Sequence, residues 1–182
     1  MSDPRGWGVS EAEGRAAYPC DALPFARDET FYRGIGVAAP PALVFRWLCQ
    51  LRAAPYSYDW LDNFGRPSPS RLTDGLERLD VGQRIMLIFR LVAFQYGKSM
   101  TLELGSRVAA AAMGDFAGSY LVVPNGDGTR LLAKILVRYP RGLYGTWLRR
   151  VMPHGDLFMF KEQLRRLKRY AERDAALERK LT

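Results

Sequence analysis

From residue 31 the stretch FYRGIGVA alternates, so Phe31, Arg33, Ile35 and Val37 share one face of a predicted strand. Pro40 and Pro41 end it, and proline suits the first turn of a helix, where its missing N–H has no bond to lose. ALVFRWLCQL continues with Val44, Trp47, Leu48 and Leu51 at helical spacing, and Pro55 opens a second, short helix carrying YSYDWLDN. On that helix Tyr56, Trp60 and Phe64, four apart, form one apolar ridge with Asp59 and Asp62 on its flanks. Beyond Pro69 the texture changes: GQRIMLIFRLVAFQYG, KSMTLELG, DFAGSYLVVP and GTRLLAKILVRYP read as strands parted by turn residues such as Gly97-Lys98 and Asn125-Gly126-Asp127-Gly128. In the last of them Leu131, Ala133, Ile135, Val137 and Tyr139 take one face, and Arg130, Lys134 and Arg138 the other. Strands joined by such short turns run antiparallel, and a sheet with one wet face needs a cover for its apolar one. Leu157, Phe160, Leu164, Leu167 and Ala171 supply that cover on a long helix after Gly155, preceded by a short helix at LYGTWLRRVM.

The order predicts an α+β fold: a curved antiparallel sheet wrapped around a long C-terminal helix, with two short helices after the first strand. Residues 1–28, punctuated by Gly and Pro, form an irregular arm; Trp7, Tyr18, Leu23 and Phe25 lay part of it on the body, a single domain over 29–178. The strand count around residues 105–118 stays open.

Composition narrows the function classes. At 182 residues the chain is sized for one core-forming domain. Two cysteines, Cys20 and Cys49, are too few for a disulfide framework or zinc cage. With no apolar run near the length of a membrane span and no signal-like start, the expectation is a cytoplasmic protein. The net charge of +8 sits largely in the last helix among Glu162, Glu172, Asp174 and Glu178, the texture of a solvated helix face. Gly34-Ile35-Gly36 lies inside a strand and cradles no phosphate. His154, alone in a predicted loop, has no oriented Ser or Cys to activate, and Asp59, Asp62 and Asn63 complete no metal-ligand spacing. No metal, cofactor or specific nucleic-acid partner is expected.

Particular residues carry a resemblance. Trp7-Gly8 with Pro19-Cys20-Asp21, the step Val37-Ala38-Ala39-Pro40 leading to Val44, Trp47 and Leu48, the block Pro55-Tyr56-Ser57-Tyr58-Asp59-Trp60-Leu61-Asp62-Asn63, Gly128-Thr129-Arg130-Leu131, and Gly155-Asp156 with Met159, Gln163, Leu164 and Lys168 resemble the SRPBCC superfamily, START-like or polyketide cyclase-like proteins of helix-grip fold. The resemblance implies a deep apolar cavity between sheet and long helix that takes lipids, polyketides, sterols or other hydrophobic molecules. It implies no universal catalytic set, so no catalytic residue is carried over. Left void, about 300 Å³ would cost roughly 7 kcal/mol, so such a cavity is narrowed, wetted or occupied; Phe89, Phe94, Phe116, Phe158 and Phe160 can narrow it.

The expected ligand-binding residues are Tyr56, Tyr58, Trp60, Phe89, Arg90, Tyr96, Phe116, Tyr120, Phe160 and Leu164, with a hydrophobic small molecule as partner. The alternative, a polyketide cyclase or dehydratase, needs at least two of Tyr58, Asp59, Arg90, Tyr96 and Tyr120 to converge in one pocket. A third reading has the basic last helix binding an anionic membrane or nucleic acid and losing affinity steeply with salt. Neither ligand identity nor oligomeric state is legible.

Overall fold

The computed structural model describes residues 3–62 and 65–181, with backbone alone at 61 and 62. Its strands are β1 (Gly6–Trp7), β2 (Glu29–Val37), β3 (Arg84–Ile85), β4 (Phe89–Gln95), β5 (Ser99–Leu104), β6 (Asp115–Asn125) and β7 (Gly128–Arg138). They form one curved sheet in the order β1-β2-β7-β6-β5-β4-β3, antiparallel throughout except where the short β1 runs parallel to β2. The helices are α1 (Glu11–Arg15), α2 (Pro41–Cys49), α3 (Asp59–Asp62), α4 (Arg107–Met113) and α5 (Leu143–Leu181). α5 lies along β2 and against α2, and α2 covers β6 and β7, which is the expected sheet around a long C-terminal helix.

The two faces of the sheet are filled differently. On the inner face Phe31, Leu91, Met100, Leu131, Ala133 and Val137 join Trp47 and Leu48 of α2 and Leu164, Leu167 and Ala171 of α5 in one core. On the outer face the positions between them on β7 are not simply wet. Leu132 and Leu136 are buried with Tyr18, Cys20 and Ala117, and Leu23 and Phe25 of the arm pack over them. The Cys20 N–H donates to Ser119 Oγ at 2.8 Å, and Lys134 Nζ donates to Asp21 Oδ1 at 2.5 Å, so the arm brings acids for the sheet's outward cations. Gly8, at φ 69°, crosses Gly34 of β2 so closely that neither has room for a side chain: a Cβ on Gly8 would run into the Gly34 carbonyl oxygen, and one on Gly34 would meet the Gly8 carbonyl oxygen at 2.8 Å.

Three sequence expectations change, and the stretch left open around residues 105–118 resolves. The helix in the tyrosine block is only Asp59–Asp62. Tyr56 precedes it in the left-handed region, at φ 58°, so the ridge of Tyr56, Trp60 and Phe64 does not form, and Phe64 lies outside the described residues. The run from residue 82 is two strands, not one: Met86 and Leu87 take φ of 46° and 64°, and the chain turns back at residues 86–88 with none of the Gly or Asn that normally marks such a turn. Residues 107–113 are helical, as four consecutive alanines allow. Finally, α5 is one helix of 39 residues that begins at Leu143 and runs through Pro153, so His154 is not in a loop but exposed on its surface. A proline inside a helix costs about 3 kcal/mol in isolation. Here Leu148 packs into the core and Pro153 is itself buried, and that burial offsets the turn that proline weakens.

Candidate functional site

The strand register sets the inner face in rows. One row across β5, β6, β7 and β2 is Met100, Tyr120, Ala133 and Arg33. Ala133 is small, and the two polar side chains on either side of it meet α5. The fully buried guanidinium of Arg33 donates to Asp156 Oδ2 through Nε at 3.1 Å and Nη2 at 2.5 Å, and through Nη1 to the carbonyls of Arg5 and Tyr32. The Tyr120 hydroxyl donates to Gln163 Oε1 at 2.6 Å, and the Gln163 amide donates in turn to the Pro55 carbonyl at 2.7 Å and to Met86 Sδ at 3.1 Å. One helix turn before Gln163, Phe160 stacks on the Tyr120 ring with centroids 5.9 Å apart.

This polar string joins the centre of the sheet to the two most strained places in the chain. Tyr56, Met86 and Leu87 are the positive-φ residues other than glycine among the described residues, and they flank the Pro55 carbonyl and the Met86 sulfur that Gln163 holds. Strain of this kind persists only where surrounding contacts over-determine it, and it gathers at binding sites. The loop is hooked to α5 a second time, since Asp59 accepts from Arg166 at 2.8 Å and from Ser68 at 2.5 Å. Burial works to raise the Asp59 carboxyl, but those two bonds outweigh it and hold it below the usual range.

Burial also governs the titration of the central groups. It pushes the Tyr120 phenol far above its ordinary range, so this hydroxyl stays protonated as a donor. It pushes Asp156 up to about 6 although Arg33 pulls the other way. The unfolded carboxyl titrates near about 4, so the folded chain holds this proton more tightly and protonation favours folding. That contribution is complete below about pH 4 and is lost as pH rises through about 6. Urea midpoints measured between about pH 4 and about pH 7 should carry this falling component, and Asp156→Asn should remove it.

The expected site residues divide. Tyr120, Phe116, Phe89, Phe160 and Leu164 all belong to the inner core or pack against it. Tyr56 does too, wedged between Trp47 and Tyr170 with its hydroxyl unpartnered among the described residues. Tyr58 sits at the rim, stacked on Phe158 with centroids 4.2 Å apart. Phe158 itself is half exposed and narrows nothing inside. Trp60, 71% exposed, faces solvent beside them. Arg90 is exposed opposite Glu103, on the face away from Phe89 and Leu91, and Tyr96 is exposed where it touches Phe45. The inner polar residues that sequence reasoning passed over are Arg33, Asp156 and Gln163. Arg33 had a signal: a charge at the centre of an alternation whose other members are apolar. Among the described residues no cluster gathers three metal-ligating side chains.

α2 packs at the Tyr96 end of the sheet and α5 follows β2, so the far end of the inner face is left with less cover. There Phe89 and Leu104 pair across β4 and β5 and stay half-buried, as do Met86, Met152 and Phe160. Phe116 and Ile135, on the two central strands, keep 8% and 7% of their surface accessible. These residues are the least covered apolar part of the inner face, and Phe160 joins them to Tyr120 through its ring stack.

No family model and no curated protein matches the chain. Solved structures do. MLL2253 from Mesorhizobium loti is 14% identical at a TM-score of 0.53, covering 80% of this chain and 98% of that one. The KanY protein is 15% identical at a TM-score of 0.52, covering 81% and 99%. The chain has the helix-grip fold. The di-domain ARO/CYC StfQ from the steffimycin biosynthetic pathway is also similar, at 15% identity and a TM-score of 0.48, with 81% of this chain aligned to 51% of that one. Identities this low speak for the helix-grip architecture and for nothing finer.

Proposed function

We propose that the protein binds a hydrophobic small molecule, of lipid, polyketide or aromatic type, in a crevice that opens at this half-buried apolar end, between the inner sheet face and α5. The observation that carries this reading is the half-buried apolar lining of Phe89, Leu104, Met152 and Phe160, which leads to a single polar end at Tyr120 and Gln163. Apolar walls with a few placed polar groups are the usual make-up of a small-molecule site. The walls supply the affinity at roughly 25 cal/mol per Å² of apolar surface removed from water. Tyr120, held as a donor to Gln163, orients a ligand oxygen or nitrogen when that bond is exchanged. The stacked Tyr58 and Phe158 stand at the rim as the side chains that a ligand would move.

Of the residues that a cyclase or dehydratase was expected to use, Arg90 and Tyr96 are exposed away from the crevice and Asp59 is engaged by Arg166 and Ser68. Tyr120 alone of that set lies inside, which favours binding over catalysis. Native mass spectrometry of the purified protein should reveal a co-purified apolar ligand or uptake of a fluorescent hydrophobic probe. Leu104→Trp, which fills the crevice near its opening, should weaken probe binding about tenfold or more while leaving the thermal midpoint within a few degrees. Equal probe binding by this variant and the parent would remove the crevice as the site.

A further inference from the structure

Close in the chain to the half-buried apolar end of the inner face is a surface that the function above does not explain. On the first half of α5, Leu143, Trp147 and Val151 recur four apart with Tyr144 beside them, so they form one stripe that faces water; Leu143 is 91% exposed and Trp147 56%. Tyr144 stacks on Trp147 and donates its hydroxyl to the Ala112 carbonyl at 2.5 Å, which brings α4 alongside and adds Val108, 82% exposed, and Met113. α4 lies between β5 and β6 in the chain and packs against both, next to Leu104 and Phe116 of the apolar end described above. Exposed apolar side chains gathered with Trp and Tyr on one surface mark an interaction site.

Charge decides what it meets. Between Tyr139 and Gly155 there are three arginines, Arg141, Arg149 and Arg150, and no acid; the segment 105–114 holds Arg107 and no acid. The later half of α5 is the opposite. There Arg166, Lys168 and Arg173 pair with Glu162, Glu172 and Asp174, and Lys161, Arg165 and Arg169 lie over the rings of Trp7 and Tyr170. Arg149 has Asp28 at 3.2 Å, while Arg107, Arg141 and Arg150 make no ion pair among the described residues. Apolar and aromatic side chains ringed by unanswered arginines match the interface of an anionic bilayer, where rings sit at headgroup depth and arginines meet phosphates.

We infer that α4 and the first half of α5 dock the protein on anionic membrane surfaces. The open end of the crevice then faces the lipid, and an apolar ligand passes between bilayer and protein without crossing bulk water. The docking stands on the patch alone; the passage of ligand rests on the binding function above.

The test is sedimentation of the full chain with phosphatidylcholine vesicles, with and without about one-third phosphatidylglycerol. The protein should sediment with the anionic vesicles alone and be released by salt. Arg141→Glu with Arg150→Glu should weaken this binding about thirtyfold. Trp147→Ser should weaken it separately, with circular dichroism and probe uptake in solution unchanged in both variants. Absence of binding to anionic vesicles overturns the inference, as does binding that ignores both variants. If instead the protein is dimeric by sedimentation equilibrium and Trp147→Ser makes it monomeric without any vesicle binding, the patch serves a second copy of the chain and the inference fails. Loss of probe uptake with vesicle binding intact would fault the ligand-binding function and leave the docking in place.

Discussion

Asp156→Ala is expected to lower the unfolding free energy by about 3–5 kcal/mol, the largest effect of any single substitution considered for this protein. The guanidinium of Arg33 is fully buried, and Asp156 is the carboxylate that faces it, at 2.5 Å. Removing the acid leaves the cation with two backbone carbonyls, those of Arg5 and Tyr32, and no counter-charge. A buried charge without a partner is the costly case, whereas replacing both partners by apolar side chains of similar size is often close to neutral. Arg33→Met combined with Asp156→Leu should therefore recover most of the loss. Chemical denaturation of Arg33→Met, Asp156→Leu and the double variant closes the cycle, and a coupling energy below about 1 kcal/mol would mean that the pair does not hold helix and sheet together.

Gln163→Leu should destabilise by about 2–4 kcal/mol, because one change strands the Tyr120 hydroxyl and takes the amide donor from the Pro55 carbonyl. The replacement keeps the side chain's bulk, so loss of packing contributes little. Adding Tyr120→Phe in the same chain removes one of the two stranded groups and should restore about 1 kcal/mol or more. The same variant removes one of the loop's hydrogen-bonded links to α5 and leaves the Asp59 and Arg166 pair in place. Faster amide exchange across residues 53–59, measured at fixed denaturant, is the accompanying result; unchanged exchange would mean that the loop is held from elsewhere.

Both predictions concern residues whose part could not be read along the chain. The alternation of residues 31–37 placed Arg33 on the inner face, and the structure keeps it there. What made that position tenable was Asp156, more than a hundred residues away and on another element. Tyr120 was among the expected site residues, but its acceptor Gln163 was known only as part of the resemblance. The tyrosine block was misread for a local reason. Its spacing fits a helix, yet Tyr56 is drawn into the core against Trp47 and Tyr170, and the backbone accepts φ 58° to put it there. The hairpin at residues 86–88 hid in the same way, because its turn carries Met86 and Leu87 where a turn residue would announce it. In α5 the error ran in the opposite direction: Pro153 and Gly155 signal a break, and burial of Leu148 and Pro153 on the body carries the helix through it.

The sequence by itself determined which strands alternate, which of their faces is apolar, and that a long amphipathic helix follows them; these follow from side-chain periodicity, which acts within one element. From those parts an antiparallel sheet gripping its last helix is close to the only compact solution. Tertiary structure alone decided that the arm dries the outer face, that Arg33 meets Asp156, that Tyr120 meets Gln163, and that Phe89 and Leu104 stay half-buried at one end of the inner face. Each of these depends on the register between strands and on the line that α5 takes across them. Such quantities are set by packing summed over distant segments, and no local pattern encodes them.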